Sequence, residues 1–325
     1  MTNPAPCSGC PFDVPAHASS LAFITIQPDI PTMPEFKHIL AATDLSAPAR
    51  HAVERAALLA RKLDARLDVI HVADLTPLEK LRHMMGVGPE ELRERVASRA
   101  NEKLDELRAA LRKRLGELPG HAHVEFGSLL PVLSEQAQGA DLLVCGSRGE
   151  SFMRHLLLGS TAERLLNTAS CPVLVVKQPM HEPYRNVLVP VDFSSASLTA
   201  IRQAQQIAPG AELVLLHVYE VPFAGYLRYA SVEHDTFAHY RDQARQEATQ
   251  KLQALRDEAG LPLDSTRLLV LQGDPVMRIV EQEQEQYAEL IVLGKHGESA
   301  ITEMLLGSVT KRVLTEVQSD VLISV

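Results

Sequence analysis

The sequence predicts an α/β protein of two tandem, doubly wound domains, each a Rossmann-like five-stranded parallel sheet with helices on both faces. Short apolar runs of strand length alternate with longer segments of helical periodicity, and the whole series occurs twice in 325 residues. A chain of this length is also ordinarily two domains. Because parallel strands need crossover connections, and right-handed crossovers place helices on both faces, the alternation favours the doubly wound arrangement.

The first copy contains five strand-like segments, and four helical patterns separate them. The predicted strands are HILAA at 38–42, LDVIHV at 67–72, HVEF at 123–126, DLLVCG at 141–146 and PVLVV at 172–176. The predicted helices are Ala47 to Leu63, Pro89 to Leu115, Leu130 to Gln138 and Ser160 to Thr168. Sheets of this kind bind ligands beyond the carboxyl ends of their strands, where the strand order reverses.

Two segments of each copy align at a constant offset, which indicates a duplication. FKHILAATDLS (36–46) matches YRNVLVPVDFS (184–194), so that Asp44 and Asp192 occupy the same point. GSRGESFMRHLLLGST (146–161) matches GKHGESAITEMLLGSV (294–309), with identity at 8 of 16 positions. The predicted organisation is a first domain at 35–177, a linker QPMHEP at 178–183 and a second domain at 184–325.

The segment before the first domain, residues 1–34, contains seven prolines and no sustained periodicity, which predicts a flexible leader. Cys7 and Cys10 form a CxxC within it, but no second CxxC or His pair completes four zinc ligands. A metal or redox role for this pair is the lesser alternative, and we predict no metal site. Cys145 and Cys171 lie in or beside apolar segments and are expected to be reduced structural thiols.

Charge and hydropathy exclude several classes of partner. The formal net charge of −9 predicts repulsion of a polyanion, so no nucleic-acid partner is expected. No stretch approaches the ~18 consecutive apolar residues that a membrane helix needs. The opening residues, MTNPAPCSGCPFDVPAH, carry no Lys or Arg and no continuous apolar core, unlike a secretory signal. We therefore expect a cytoplasmic protein that does not bind membranes.

The segment after the fourth strand has the spacing G-x2-G-x9-G-S in both copies. Glycines there let the backbone approach a ligand closely, the free N–H groups at a helix start attract phosphate, and the serine hydroxyl can add a donor. The lysine of a P-loop and the GxGxxG of a dinucleotide fold are both missing. The candidate phosphate-binding residues are Gly146, Gly149, Gly159 and Ser160 in the first copy and Gly294, Gly297, Gly307 and Ser308 in the second.

Charged residues near these segments are further candidates. Asp44 and Asp192 follow the first strand of each copy, where a carboxylate can accept hydrogen bonds from ribose hydroxyls. Capping of the next helix is an equal alternative for both. Between the first two glycines stand Arg148 in one copy and Lys295 with His296 in the other, and these cations can serve phosphate. The alternative for Arg148 and Lys295 is solvent exposure at a loop tip.

Both copies resemble the universal stress protein family in its tandem two-domain form, over about residues 35–325. The resemblance rests on the Asp of ATDLS and PVDFS, the HV that ends the second strand, and the doubled glycine segment. It implies ATP binding in one subgroup of the family, with Val72 and Val218 lining the adenine pockets. We expect ATP or another adenine nucleotide, with or without Mg²⁺.

The resemblance also implies that the two domains pair through their last strands, PVLVVK (172–177) and DVLISV (320–325), whose apolar edges would otherwise be exposed. One chain would then be a pseudo-dimer, and further pairing into a homodimer stays open. The segments 76–115 and 219–260 differ most between the copies. They are candidates for recognising an unidentified protein partner, with solvated amphipathic helices as the alternative.

Three functions remain open from the sequence. The first is a nucleotide-binding stress-response regulator that changes conformation or partner binding with its ligand. The second is a slow ATP hydrolase, for which the sequence offers no identifiable base, so no catalytic residue is predicted. The third is a nucleotide-free interaction scaffold, which two intact glycine segments disfavour.

Overall fold

A computed structural model describes residues 35–76, 78, 86, 88–147, 160–220, 234–295 and 306–325. The chain divides into two units, residues 1–33 and residues 34–325. The predicted leader, with Cys7 and Cys10, lies outside the described residues. So do residues 77, 79–85, 87 and 221–233 of the two segments that are predicted to recognise a partner.

The first repeat follows the predicted alternation of strands and helices. Its elements are β1 (His38–Ala42), α1 (Ala47–Leu63), β2 (Arg66–Ala73), α2 (Pro89–Leu115), β3 (Ala122–Phe126), α3 (Leu129–Ala137), β4 (Leu142–Gly146), α4 (Ser160–Thr168) and β5 (Val173–Val176). Local chemistry explains where α1 begins and ends. The Ser46 hydroxyl accepts the Ala49 N–H at its start, and Asp64 takes a left-handed conformation at its end.

The second repeat has the same order of elements. They are β6 (Asn186–Pro190), α5 (Ser195–Ile207), β7 (Glu212–Tyr219), α6 (His234–Glu258), β8 (Thr266–Gln272), α7 (Pro275–Glu285), β9 (Leu290–Gly294), α8 (Ser308–Glu316) and β10 (Asp320–Ser324). The predicted doubly wound α/β class is therefore confirmed in both repeats. The domain boundaries themselves remain a prediction.

All ten strands belong to one sheet, in the order β3-β2-β1-β4-β5-β10-β9-β6-β7-β8. Within each repeat the neighbouring strands are parallel. The repeats meet where β5 and β10 pair antiparallel, with Leu174 opposite Leu322. The pairing of last strands that the family resemblance implied is thus present. Strand order reverses between β1 and β4 and again between β6 and β9, which creates two equivalent crevices.

The sheet has an apolar core on each face, and each core runs through both repeats. Alternation along β1 shows the principle, because Ile39 and Ala41 face one core and Leu40 faces the other. Helices α1, α2, α5 and α6 cover the first face, and α3, α4, α7 and α8 cover the second. Two continuous cores make residues 34–325 one compact unit rather than two independent ones.

A lysine of the first repeat closes the end of a helix in the second. The Lys177 ammonium group donates to the carbonyl oxygens of Leu314 and Val317, each at 2.7 Å. These carbonyls lie at the carboxyl end of α8, where the helix dipole favours a cation. Because Lys177 directly follows β5, the contact fixes α8 beside the seam between the repeats.

Two remaining predictions concern thiols and membranes. Among the described residues, Cys145 and Cys171 are buried free cysteines. Burial raises the pKa of Cys145 to about 12 and that of Cys171 to about 11, as expected of structural thiols. In the same part of the chain, no helix combines the length and the apolar character needed to cross a bilayer.

Candidate functional site

The topology brings two of the predicted site residues of each repeat to the same edge of the sheet. Asp44 follows β1, and Gly146 ends β4, the parallel neighbour of β1. In the second repeat, Asp192 follows β6, and Gly294 ends the neighbouring β9. Each pair therefore lies at the carboxyl edge of the sheet, where the strand order reverses and ligands of such folds bind.

A strained turn holds Asp44 in the first repeat. Leu45 has φ 64°, a left-handed conformation that a branched side chain rarely adopts. Asp44 Oδ1 accepts the Ser46 N–H at 3.0 Å across this turn. Ser46 caps α1 with its own hydroxyl, which accepts the Ala49 N–H. The strain costs about 1–2 kcal/mol, and such strain is concentrated at functional sites.

The same turn recurs in the second repeat, where serine hydroxyls also donate to the aspartate. Phe193 has φ 66°, and Asp192 Oδ1 accepts the Ser194 N–H at 3.1 Å. The same oxygen accepts the Ser194 and Ser197 hydroxyls at 2.6 and 2.8 Å. Both repeats therefore place a carboxylate at the end of the first strand in the same strained geometry.

A histidine fixes each turn from the neighbouring strand. The Nδ1–H of His71 donates to the Thr43 carbonyl, and that of His217 donates to the Val191 carbonyl, both at 2.9 Å. A carbonyl can only accept, so Nδ1 carries the proton in each ring. Burial, assisted by Lys251, lowers the pKa of His217 against the opposing influence of the Val191 carbonyl and Asp192. The two histidines thus act as structural supports.

Val72 and Val218 lie near the ends of β2 and β7, next to these histidines. Both are half-buried, and both pack against the core that α3, α4, α7 and α8 cover. They leave an apolar surface at the carboxyl edge, on the flank of each crevice. The assignment of this surface to adenine remains a prediction.

The loop of the second repeat is closed at its base. The Gly307 N–H donates to the Lys295 carbonyl at 3.1 Å, and the Thr310 hydroxyl donates to the Gly294 carbonyl at 3.1 Å. These bonds hold the start of α8 against the end of β9. Gly307 is the N-cap residue of α8 and has no side chain. The first N–H groups of α8 therefore receive no hydrogen bond from an N-cap side chain. This geometry suits an anion at the helix start.

Lys295 has a different environment from the one its sequence position indicates. Its ammonium group donates to the carbonyls of Asn167 and Ala169 in the first repeat, at 3.2 and 3.3 Å. The residue is only 7% exposed, so the loop-tip alternative is wrong for Lys295. Burial lowers the pKa of the ammonium group. A contact between Lys295 and phosphate stays a prediction.

The remaining predicted residues are described only in part. Ser160 and Ser308 begin α4 and α8, as the glycine spacing predicts. Arg148, Gly149, Gly159, His296 and Gly297 lie outside the described residues.

Asn167 is a residue near the loop that sequence reasoning missed. Its side-chain Oδ1 accepts the Leu306 N–H at 3.2 Å, although the two residues belong to different repeats. No local pattern indicates this contact, because Asn167 reads only as a polar residue near the end of a helix.

The fold and the paired crevices define a class of protein: a tandem α/β chain in which each repeat places an aspartate turn beside a strand that ends in a glycine. The family model described as "Universal stress protein family" matches residues 35–177 and again residues 183–324. Since the two matches cover most of the chain, the chain belongs to the universal stress protein family.

Individual relatives agree with this assignment. A universal stress protein of Mycolicibacterium smegmatis is 28% identical over 297 residues, covering 88% of this chain and 96% of the relative. Universal stress protein MJ0531 of Methanocaldococcus jannaschii is 32% identical over 151 residues, covering 45% of this chain and 85% of the relative. The crystal structure of a universal stress protein from Archaeoglobus fulgidus has a TM-score of 0.62 at 21% identity and covers 89% of this chain and 98% of its own. That similarity shows the fold alone.

Proposed function

We propose that both repeats bind adenine nucleotide, with ATP as the first ligand to test, and that the ligand state regulates conformation or partner binding in a stress response. The observation that carries the proposal is the repeated crevice. In each repeat, a strained aspartate turn stands beside a strand that ends in a motif glycine. The crevice has two chemically different ends. The carboxylate end suits a nucleoside, and the end rich in backbone N–H groups suits its phosphates.

Each part of the nucleotide has a chemical counterpart in the crevice. The start of α8, with Gly307 as its N-cap, offers backbone N–H groups to phosphate. The carboxylates of Asp44 and Asp192 offer acceptors to ribose hydroxyls, and Val72 and Val218 offer apolar surface to the base. The equivalent residues of the first loop would play the same part there.

A regulator requires that its two ligand states differ in free energy of conformation or of partner binding. Within the described ranges, no three His, Cys, Asp or Glu side chains come together as a cation site. Mg²⁺, if it accompanies the nucleotide, commonly keeps the phosphates among its ligands. The sequence offers no identifiable base for hydrolysis, and slow turnover is kept as a measurable alternative.

The decisive experiment is the nucleotide content of freshly purified protein. Acid release, chromatography and mass spectrometry identify the ligand, and calorimetric titration of the emptied protein with ATP gives the number of sites. One to two ATP per chain supports the proposed regulator. Mostly ADP favours the hydrolase and calls for a turnover assay, whereas neither nucleotide nor binding in an independent assay favours the scaffold.

A double variant tests the location of the sites. Gly149→Val with Gly297→Val is expected to abolish ATP binding, because added side chains prevent the close approach of backbone to phosphate. The matched control is Gly88→Val, since Gly88 has φ −66° and an added Cβ there meets no atom within 4 Å. Unchanged affinity in the double variant would contradict the assignment of phosphate to the glycine loops.

A further inference from the structure

The residues on either side of the second repeat's glycine loop, Lys295 and Leu306, both contact the carboxyl end of α4 in the first repeat. On one edge, Lys295 donates to the carbonyls of Asn167 and Ala169. On the other edge, the Leu306 N–H donates to Oδ1 of Asn167. Asn167 is therefore the residue that both edges share, through its carbonyl on one side and its side-chain amide on the other.

These contacts lie next to the candidate phosphate-binding atoms. Leu306 directly precedes Gly307, the N-cap of α8, and Lys295 directly follows Gly294, the end of β9. The bond from the Gly307 N–H to the Lys295 carbonyl joins the two edges. Asn167 is therefore connected to the start of α8 by the hydrogen bond to Leu306 and the peptide bond from Leu306 to Gly307.

The contact with Lys295 also places a positive charge at the carboxyl end of α4. Asn167 and Ala169 belong to the carboxyl end of α4, where backbone carbonyls lack partners inside the helix. The Lys295 ammonium group supplies both a donor and a positive charge to this end. Only 7% of Lys295 is exposed, so water weakens the interaction little.

The residues equivalent to Asn167 and Lys295 in the other repeat have different side chains. Thr315 occupies the position of Asn167 in the second repeat, and its hydroxyl donates to the Lys311 carbonyl of its own helix. Ser147 occupies the position of Lys295 and is too short to make the equivalent contact. The carboxyl end of α8 is instead closed by Lys177, which follows β5 and does not belong to a glycine loop. The described residues therefore support attachment in one direction.

We propose that Asn167 of the first repeat is a positioning residue for the second repeat's nucleotide site. The proposal rests on the proposed function for its ligand, but the contact itself can be tested without ligand. Asn167 keeps Leu306 and Gly307 in register with Lys295, so that the N–H groups at the start of α8 face one place. The affinity of the second site then depends on a residue of the first repeat.

The first test needs no nucleotide. Asn167→Leu preserves size and both backbone carbonyls but removes the acceptor of the Leu306 N–H. Loss of a hydrogen bond of about 1 kcal/mol predicts about fivefold faster amide hydrogen exchange at Leu306. Asn167→Asp keeps an acceptor oxygen and is expected to restore slow exchange, and Thr315→Val is the control that leaves Leu306 unchanged. Equal exchange at Leu306 in the parent and Asn167→Leu proteins overturns the proposal.

The second test separates positioning from general destabilisation. Gly149→Val isolates the second site, and Gly297→Val isolates the first, for calorimetric titration with ATP. Asn167→Leu is expected to weaken the second site by about fivefold, the factor of one lost hydrogen bond, and to leave the first within twofold. Equal weakening of both sites overturns the positioning role. If no protein binds ATP, the proposed function fails, while faster exchange at Leu306 still supports the loop contact.

Discussion

The guanidinium group of Arg55 lies 3.3 Å from the carboxylate of Asp320, measured from Nε to Oδ2, so that the two repeats share a buried ion pair. The side chains are 7% and 1% exposed. Nε of Arg55 is not aligned for a hydrogen bond to Asp320, and its Nη1 donates instead to the Glu182 carbonyl. Asp320 accepts the Lys177 N–H and the Tyr184 hydroxyl. The pair is therefore an electrostatic contact within a hydrogen-bonded group.

Removal of Arg55 is expected to destabilise the fold strongly. Arg55→Met leaves the Asp320 carboxylate buried without its cation, which costs about 3–5 kcal/mol. Burial raises the pKa of Asp320, and the loss of Arg55 removes an opposing influence. Urea denaturation at neutral pH measures the loss in the free energy of unfolding.

The control for Arg55 is an exposed arginine–carboxylate ion pair. Arg95 and Glu91 lie one helical turn apart on α2 with a 2.5 Å contact, and both are more than half exposed. Arg95→Met should cost at most about 0.5 kcal/mol. Asp320→Asn added to Arg55→Met should recover part of the loss. Equal, small losses for Arg55→Met and Arg95→Met would show that the buried pair does not hold the repeats together.

Replacement of Lys177 is expected to weaken the seam through α8. Lys177→Met removes two charge-assisted hydrogen bonds to Leu314 and Val317, for a loss of about 1–3 kcal/mol. Lys311→Met is the control, because Lys311 makes a solvent-exposed ion pair with Glu163 that should contribute about 0–1 kcal/mol. The midpoints of urea unfolding of Lys177→Met and Lys311→Met, measured under the same conditions, show whether Lys177 contributes more to stability. Indistinguishable midpoints for the two variants would contradict the prediction that Lys177 stabilises the seam through α8.

Gly120 is expected to tolerate no side chain. It has φ 131°, and an added Cβ would lie 1.8 Å from the Leu67 carbonyl oxygen. Gly120→Ala must separate the chain from β2 and should cost about 3 kcal/mol or more. Gly116→Ala is the control, since φ there is 81° but no atom lies within 4 Å of the new Cβ, and only about 1 kcal/mol of strain is expected. Thermal unfolding of both variants measures the difference, and similar losses would show that strain, rather than the clash, dominates.

His217 is expected to make stability depend on pH near neutrality. Burial lowers its pKa in the folded state below the ordinary 6.5, so the unfolded chain takes up the proton first as pH falls. The contribution is fully present above pH 6.5 and is lost as pH falls through 6.5 towards the folded pKa.

A variant that cannot titrate isolates this effect. His217→Asn keeps a donor for the Val191 carbonyl and removes the ionisable ring. Chemical denaturation about one pH unit above and below 6.5 should show that the parent loses more stability on acidification than His217→Asn does. Identical losses in both proteins would mean that His217 does not titrate differently on unfolding.

Apolar periodicity predicted the fold well because strands and helices depend on nearby residues. The observed bounds of α1 are the predicted ones, and α3 begins at Leu129 instead of the predicted Leu130. The glycine spacing likewise predicted where α4 and α8 begin. The offset between copies identified Asp44 and Asp192 as equivalent, and the structure shows the same turn at both.

Contacts between the repeats could not be predicted from local sequence patterns. The position of Lys295 in a glycine loop predicted an available cation, but its partners belong to the first repeat, more than a hundred residues earlier in the chain. The left-handed conformations of Leu45 and Phe193 were also missed, because sequence reasoning looks for glycine at such points. Serines next in the chain donate to Asp44 and Asp192 across these turns, and a histidine of the neighbouring strand holds the carbonyl that precedes each aspartate.

The antiparallel pairing of β5 with β10 has a consequence for the newly made chain. Val175 pairs with Val321, so nearly all of the second repeat must be synthesised before the open edge of β5 finds its partner. During translation that edge is an apolar template, and β10 of a neighbouring molecule fits it as well as the chain's own β10 does. Exchange of β10 between two molecules is thus the natural competing product of folding, and high expression levels should favour such swapped dimers.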